Sequence, residues 1–155
     1  MSEGTSGNAN VRPVLEKLDE AECLRLISPG GIGRLVFTGR YGLTVLPVNY
    51  KLHDGASVFR TAQDSPTGED LSTGIEHAEY QVAFEIDQIN PETRDGWSVL
   101  IHGPAHHMSS DAERATVVES GVAPWPRGVH EHAIRITPTT ITGRRLSHPN
   151  AAGSS

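Results

Sequence analysis

Arg60 and Thr61 are adjacent polar residues at the end of a predicted strand, and together they could hold an anion. A guanidinium group, a hydroxyl and the amides of a following loop all donate hydrogen bonds, which a phosphate group accepts. A solvent-facing arginine beside an ordinary strand threonine explains the same two residues without any ligand. From these residues alone, a phosphate site is one of two open interpretations.

A predicted β-hairpin positions this pair. The segment 43–51 is rich in Leu, Val and Tyr, as strands are, and 57–61 forms a second short strand. Between them, Asp54-Gly55 supplies the left-handed positions that a tight turn needs. Pro47 lies inside the first arm, and because proline cannot donate to a strand ladder, we expect an edge, a bulge or a bend there.

Helix and strand signals along the chain predict a mainly β domain. Two helices begin at capping-box signals and are expected over 20–27 and 111–119, and a weaker helix is expected over 69–76. Besides the hairpin, strand patterns occur over 33–38, 80–87, 97–108, 131–137 and 140–146. The long strand over 97–108 is expected to bend at Gly103-Pro104. This set favours an antiparallel barrel or sandwich over a parallel βαβ fold.

Length and composition limit the classes of protein. The 155 residues suit one domain, expected over 13–146, with disordered polar tails over 1–12 and 147–155. A net charge of −6 argues against a general nucleic-acid binder. Cys23 is the one cysteine, so no intrachain disulfide can form, and a cytoplasmic location is expected. With no long apolar run, neither a signal peptide nor a membrane span is expected.

Two other kinds of chemistry find little support. His102, His106 and His107 on one strand could meet His130 and His132 on another in a metal site, but no glutamate or cysteine stands at a recognised ligand spacing from them. We therefore expect no metal and regard most histidines as surface or barrel-rim residues. No nucleophile elbow and no phosphate-binding glycine loop occurs, so no catalytic residue is assigned.

The two tryptophans suggest contact surfaces. Trp97 opens a strand and is expected to be a core or interface anchor. Trp125 lies between Pro124 and Pro126, which hold an indole still and partly exposed. A flat aromatic ligand or a neighbouring chain could use it.

Several short motifs in order carry a family resemblance. They are Gly33-Arg34-Leu35, Leu46-Pro47-Val48-Asn49-Tyr50, Phe59-Arg60-Thr61, Val82-Ala83-Phe84-Glu85-Ile86-Asp87, Gly96-Trp97-Ser98-Val99 and Ile141-Thr142-Gly143-Arg144-Arg145. From about Asp19 to Leu146, the chain resembles the actinobacterial-type branch of the pyridoxamine 5'-phosphate oxidase-like family of flavin-binding split-barrel proteins. The motifs are more specific for the fold than for an activity.

The resemblance implies a fold, an assembly and a cofactor. The fold would be a six- to seven-stranded antiparallel Greek-key split β-barrel with two or three short helices. Two copies would form a homodimer with flavin mononucleotide (FMN) in each cleft between subunits. The cofactor-binding residues that it implies are Pro47, Val48, Asn49, Tyr50, Phe59, Arg60, Thr61, Ser65, Thr67, Trp97, Ser98, Val99 and Trp125.

Within that set, the resemblance implies different roles. Val48, Asn49 and Tyr50 would line the isoalloxazine ring, while Arg60 and Thr61 would hold the phosphate. Trp97 and Ser98 would reach the same cleft from the partner chain, and Trp125 would close one side.

The segment after Thr61 departs from the family pattern. The family usually carries a basic residue, most often lysine, a few positions on, where it pairs with the phosphate. Here the segment 65–70 has no Lys or Arg and contains Glu69 and Asp70. Exchanging an attractive charge for a repulsive one at a few ångströms changes binding by roughly several kcal/mol at an effective dielectric near 20.

Two functions of different class follow. The first is an FMN-dependent oxidoreductase acting on an unidentified small molecule, in which the cofactor does the redox chemistry. Because the lysine is missing, the alternatives are a deazaflavin-dependent reductase, or a non-catalytic flavin carrier or sensor dimer. Pyridoxamine phosphate oxidation itself is not expected, because Gly143-Arg144-Arg145 and the residues after it match that subgroup's substrate signature only loosely.

Overall fold

A computed structural model describes residues 12–62, 80–124 and 131–148. The strands are Val14–Leu18 (β1), Gly31–Gly39 (β2), Gly42–His53 (β3), Ala56–Ala62 (β4), Tyr80–Ile89 (β5), Gly96–His107 (β6), Glu131–Ile136 (β7) and Thr140–Ser147 (β8). The helices are Glu20–Ile27 (α1) and Asp111–Ser120 (α2). The predicted helix over 69–76 lies outside the described residues.

Six of the strands close into an antiparallel barrel. The sheet runs β5-β2-β3-β4-β7, and β6 closes it by pairing with both β5 and β7. Strands β8 and β1 extend the sheet outward from β6. The prediction of a mainly β split barrel with short helices is confirmed.

Strand β6 changes its partner halfway along. Its first part pairs with β8 from Gly96 to His102, and its last part pairs with β7 from Ala105 to His107. Between them, a side chain on Gly103 would overlap the backbone of Thr137. Gly103, where the sequence predicts a bend, thus allows both β7 and β8 to pair with β6.

The hairpin that carries Arg60 forms as predicted. Strands β3 and β4 pair from Tyr50–Phe59 to His53–Ala56. Asp54 and Gly55 turn the chain with φ of 50° and 79°, the left-handed pair of a tight hairpin.

Pro47 lies in the first half of β3, where it faces Arg34 of β2. Within the described residues, this half of the strand has a neighbour on one side only, so the expectation of an edge is confirmed.

Aromatic rings fill the centre of the barrel. Phe84 is fully buried, with its ring 5.4 Å from that of Tyr50 and 6.1 Å from that of Phe59. Gly33 lies directly against Phe84, and a side chain at that position would overlap the ring. The core therefore combines the large ring of Phe84 on β5 with a glycine, which has no side chain, at position 33 on β2.

Both helices begin at the predicted caps. The carboxylate of Asp19 accepts from the amide of Glu22 at 2.8 Å. Ser110 and Glu113 form a full capping box, and Gly121 ends α2 in the left-handed conformation. Neither helix, within the described parts of the chain, is long and apolar enough to cross a membrane.

Strand β1 was not predicted, and β8 runs to the edge of the tail proposed from the sequence. Four of the five residues of β1 are exposed, so no alternating apolar pattern marks it. At the other end, β8 reaches Ser147, and the amide of His148 donates to the carboxylate of Asp95 at 2.8 Å.

Candidate functional site

Arg60 points into a cleft beside the end of β4. Strand β4 pairs with β7, which places the guanidinium next to Glu131, with Nη1 2.6 Å from Oε1. The Arg60 side chain is only 12% exposed. A guanidinium group that is largely buried needs a compensating anion, and the carboxylate of Glu131 already lies beside it.

Thr61 lies opposite His132 in the β4–β7 ladder and is buried. Its hydroxyl oxygen makes no hydrogen bond within the described residues. Buried hydroxyls normally have a partner, so this one is unusual. Thr61 follows Arg60 directly on β4, so its side chain points to the other face of the sheet and does not line the cleft beside Arg60.

The space in front of Arg60 is a cleft of about 490 Å³, here called the Arg60 cleft. Its polar lining comes from Arg60, His107, Ser109, Arg114, Glu131 and His132, and its apolar lining comes from α2 and the adjoining strands. His132 and His107 touch each other, with Nδ1 of the former 2.7 Å from Nε2 of the latter.

The predicted ring-contacting residues on β3 face opposite ways. Pro47 and Asn49 are exposed on the outside of the sheet, whereas Val48 and Tyr50 are buried in the barrel. The Tyr50 hydroxyl donates to the carbonyl of Ile27 at 2.7 Å, and burial raises its pKa to about 12. Its side chain is therefore committed to the core, and its backbone is paired with Gly31 on one side and with Phe59 on the other.

Phe59 and Val99 are also fully buried core residues. Trp97 is half-buried and packs against the core at the start of β6. It lines a groove of about 590 Å³ together with Asn90, Asp95 and neighbouring residues. Ser98 faces the outside of the sheet, in a second groove of about 490 Å³.

Trp97 and Arg60 do not meet within one chain. The Arg60 cleft includes His107, the last residue of β6, and Trp97 is the second residue of the same strand. Ten residues of strand span roughly 33 Å. Within one chain, the two groups therefore line separate cavities.

Ser65, Thr67 and Trp125 of the predicted set lie outside the described residues. So does the segment 65–70 that lacks the family lysine. Their predicted roles stay predictions.

Sequence reasoning missed His107, His132, Glu131 and Arg114 as lining of the Arg60 cleft. The sequence marks the two histidines only as candidate metal ligands, because their pairing depends on the register between β6 and β7. Within 12–62, 80–124 and 131–148, no group of three or more His, Cys, Asp or Glu side chains is arranged to hold a metal ion.

An ion cluster marks the outer face of the sheet. Arg34 lies 3.4 Å from Glu85 and 3.5 Å from Asp87. Burial, helped by the adjacent Asp87, raises the pKa of Glu85 to about 7 despite the attraction of Arg34. The same face carries exposed apolar side chains on β2 and β3, with Leu43 82% exposed and Val45 59% exposed.

Comparison with known proteins places the chain among relatives of this fold. Residues 19–145 match the sequence profile of the pyridoxamine 5'-phosphate oxidase family. The uncharacterized protein Rv0080 of Mycobacterium tuberculosis is 31% identical over 137 residues, which are 88% of this chain and 88% of that protein.

Two solved structures are similar over nearly their whole length. The FAD binding protein from Mycobacterium smegmatis is 31% identical, with a TM-score of 0.68, covering 83% of this chain and 98% of that one. A conserved protein of unknown function from Corynebacterium diphtheriae is 26% identical, with a TM-score of 0.69, covering 85% and 98% respectively.

Proposed function

The chain belongs to the pyridoxamine 5'-phosphate oxidase family, and from this premise we propose that it is a flavin-binding oxidoreductase acting on a small molecule. The observation that carries the proposal is the Arg60 cleft. It presents a guanidinium that is 12% exposed together with the contacting imidazoles of His107 and His132. These donors fit the phosphate end of a flavin nucleotide.

The cofactor would be FMN or FAD. The M. smegmatis protein, 31% identical, is named for FAD binding, and the Arg60 donors suit the phosphate of either nucleotide. A bound flavin supplies electron transfer, while the protein supplies the cleft, the orientation and the hydrogen bonds around the ring. A deazaflavin is the alternative cofactor, since its charge could lie elsewhere.

We further propose a homodimer with the cofactor between subunits. Within one chain, Arg60 and Trp97 are separated by nearly the full length of β6, so the predicted site is incomplete without a second copy. The exposed side chains of Leu43 and Val45 give the outer sheet face the apolar surface that an interface uses. The buried thiol of Cys23 fits the proposed cytoplasmic location.

One observation favours a non-catalytic carrier or sensor as a second candidate. The carboxylate of Glu131 already lies 2.6 Å from Arg60, where it competes with a phosphate for the same guanidinium. With no lysine in 65–70 to compensate, a flavin could be held weakly and exchanged.

Cofactor binding is tested by the visible absorbance of the purified protein, before and after adding excess FMN or FAD and desalting. We expect a retained flavin spectrum, and chromatography of the released cofactor identifies the nucleotide. Arg60→Ala should weaken binding by about 10- to 100-fold, the loss expected for a charge-assisted hydrogen-bond donor. Arg25→Ala, a change of an exposed arginine on α1, is the matched control.

A second measurement separates the two candidates. The reduced flavoprotein is mixed with an electron acceptor, and reoxidation is followed over repeated cycles. Turnover supports the oxidoreductase, and a bound flavin that never cycles supports the carrier. A protein that takes up no flavin under any of these conditions defeats both.

A further inference from the structure

The contact between His107 and His132 joins the ends of two strands inside the Arg60 cleft. The two ring centroids are 4.4 Å apart with an angle of 73° between the planes, and His132 is only 9% exposed. At a nitrogen–nitrogen distance of 2.7 Å, one ring donates a hydrogen and the other accepts it. The pair can therefore gain one proton, and with it one positive charge, without losing its contact.

Two arginines, each with an acidic neighbour, also line the Arg60 cleft. Arg60 on β4 is balanced by Glu131 on β7 at 2.6 Å. Arg114 on α2 is 71% exposed at the rim, 3.9 Å from Asp111. Among the described residues that line the cleft, histidine is the type whose side chain ordinarily changes its charge closest to neutral pH.

We propose that His107 and His132 form the protonatable part of a phosphate-binding site in the Arg60 cleft. The proposal rests on the proposed function, since the ligand is the phosphate group of the flavin nucleotide. Binding a phosphate dianion beside Arg60 draws a proton from solvent onto the imidazole pair. The charged pair then supplies the positive charge beside the phosphate for which the segment 65–70 offers no Lys or Arg.

The proposal has a measurable signature. If about one proton is taken up with each phosphate, the dissociation constant rises by up to about tenfold for each pH unit above the range where the pair is charged. Riboflavin carries the same ring system without a phosphate, so its affinity should not follow pH in this way. The useful window is about pH 6.5–8.5, because a phosphate monoester loses its second charge near pH 6.

The experiment measures the affinity of the full-length protein for FMN and for riboflavin across that window, in the wild type and in His107→Gln and His132→Gln. We expect wild-type FMN affinity to fall at least several-fold from pH 6.5 to 8.5 while riboflavin affinity stays level. Either glutamine variant should flatten the FMN curve and weaken binding at pH 6.5. His106→Gln is the control, because His106 directly precedes His107 on β6 but contacts Glu113, 2.6 Å away.

A second readout avoids the flavin altogether. Inorganic pyrophosphate should raise the melting temperature of the wild type more at pH 6.5 than at pH 8.5, and should raise that of His132→Gln little at either pH. Pyrophosphate stabilisation without any flavin binding supports the anion site and defeats the proposed function. Flavin binding whose pH dependence is unchanged in both glutamine variants overturns the histidine proposal and leaves the proposed function standing.

Discussion

The hydroxyl of Tyr50 donates a hydrogen bond to the carbonyl oxygen of Ile27, 2.7 Å away, and so connects the β3–β4 hairpin to the last residue of α1. The bond is buried and joins residues 23 positions apart. It fixes the place where the first helix meets the barrel.

Removing that hydroxyl should lower stability modestly. Tyr50→Phe loses the bond, but the Ile27 carbonyl keeps the one that it accepts from the amide of Gly30 at 3.1 Å. We expect the free energy of unfolding to fall by about 0.5–1.5 kcal/mol. Urea unfolding measures it, with Tyr41→Phe as control, since Tyr41 is 91% exposed. Equal effects of the two changes would contradict a specific role for the bond.

Gly33 and Phe84 should behave as one packing unit. A methyl group on Gly33 overlaps the Phe84 ring, so Gly33→Ala is expected to cost about 1–3 kcal/mol. In a Phe84→Leu background, the same change should cost much less, because the smaller side chain leaves room. In a Val117→Ala background, where the change lies in a separate apolar cluster beside α2, the costs should add, and a double-mutant cycle by chemical denaturation compares the two.

Glu85 should make stability fall as the pH rises toward neutral. Its pKa is raised from 4.5 to about 7 by burial and by Asp87, so the folded chain keeps a proton that the unfolded chain releases. This contribution is fully present below about pH 4.5 and is lost as the pH rises through about 7. Glu85→Gln cannot ionise, so its stability relative to the wild type should rise across that interval.

Unfolding free energies at half-unit pH steps between 4.5 and 7.5 test this, with the exposed Glu92→Gln as control. The carboxylates of Glu22 and Glu113 do not interfere. Hydrogen bonds from Arg25 and from the Ser110 amide respectively lower their pKa values to about 2. Their stabilising contributions are lost only as the pH falls below about 4.5. A constant difference between Glu85→Gln and wild type would contradict the prediction.

Glu131 should oppose the binding of a phosphate. Its carboxylate lies 2.6 Å from the Arg60 guanidinium, so Glu131→Gln removes a negative charge from the place where the phosphate is proposed. We expect FMN to bind about tenfold more tightly to the variant, with riboflavin unchanged. Fluorescence titration measures both affinities, and Glu20→Gln on α1 is the control. Weaker FMN binding in Glu131→Gln would argue that Glu131 positions Arg60 for the phosphate.

The outer sheet face should govern assembly. Leu43→Lys places a charge among exposed apolar side chains of the proposed interface and should shift a dimer toward monomer. Val14→Lys is the matched control, since Val14 is 49% exposed and lies on β1, which pairs with β8 and not with β2 or β3. Sedimentation at several concentrations distinguishes the variants. Equal dissociation in both would place the interface elsewhere.

The sequence predicted elements better than it predicted contacts. Both caps, the Asp54-Gly55 turn and the β3–β4 hairpin follow from local chemistry that a short segment carries by itself. Strand β1 left no signal, because its side chains are mostly exposed. Its place is set by pairing with β8, more than a hundred residues away.

The candidate site shows the same limit. Arg60 could be singled out from its neighbours in sequence, but its partner Glu131 is 71 residues away. His107 and His132 are 25 residues apart and meet only because β6 switches from β8 to β7 after Gly103. Strand patterns show which residues alternate, and they do not show which strands become neighbours.

Pro47 also bears on aggregation through the open edge of β3. Among the described residues, the first half of β3 has β2 on one side and no strand on the other. An open strand edge invites a further strand to add, which is the usual route to aggregation. Proline interrupts the row of backbone donors in this segment, so growth of a continuous intermolecular sheet from this edge is discouraged.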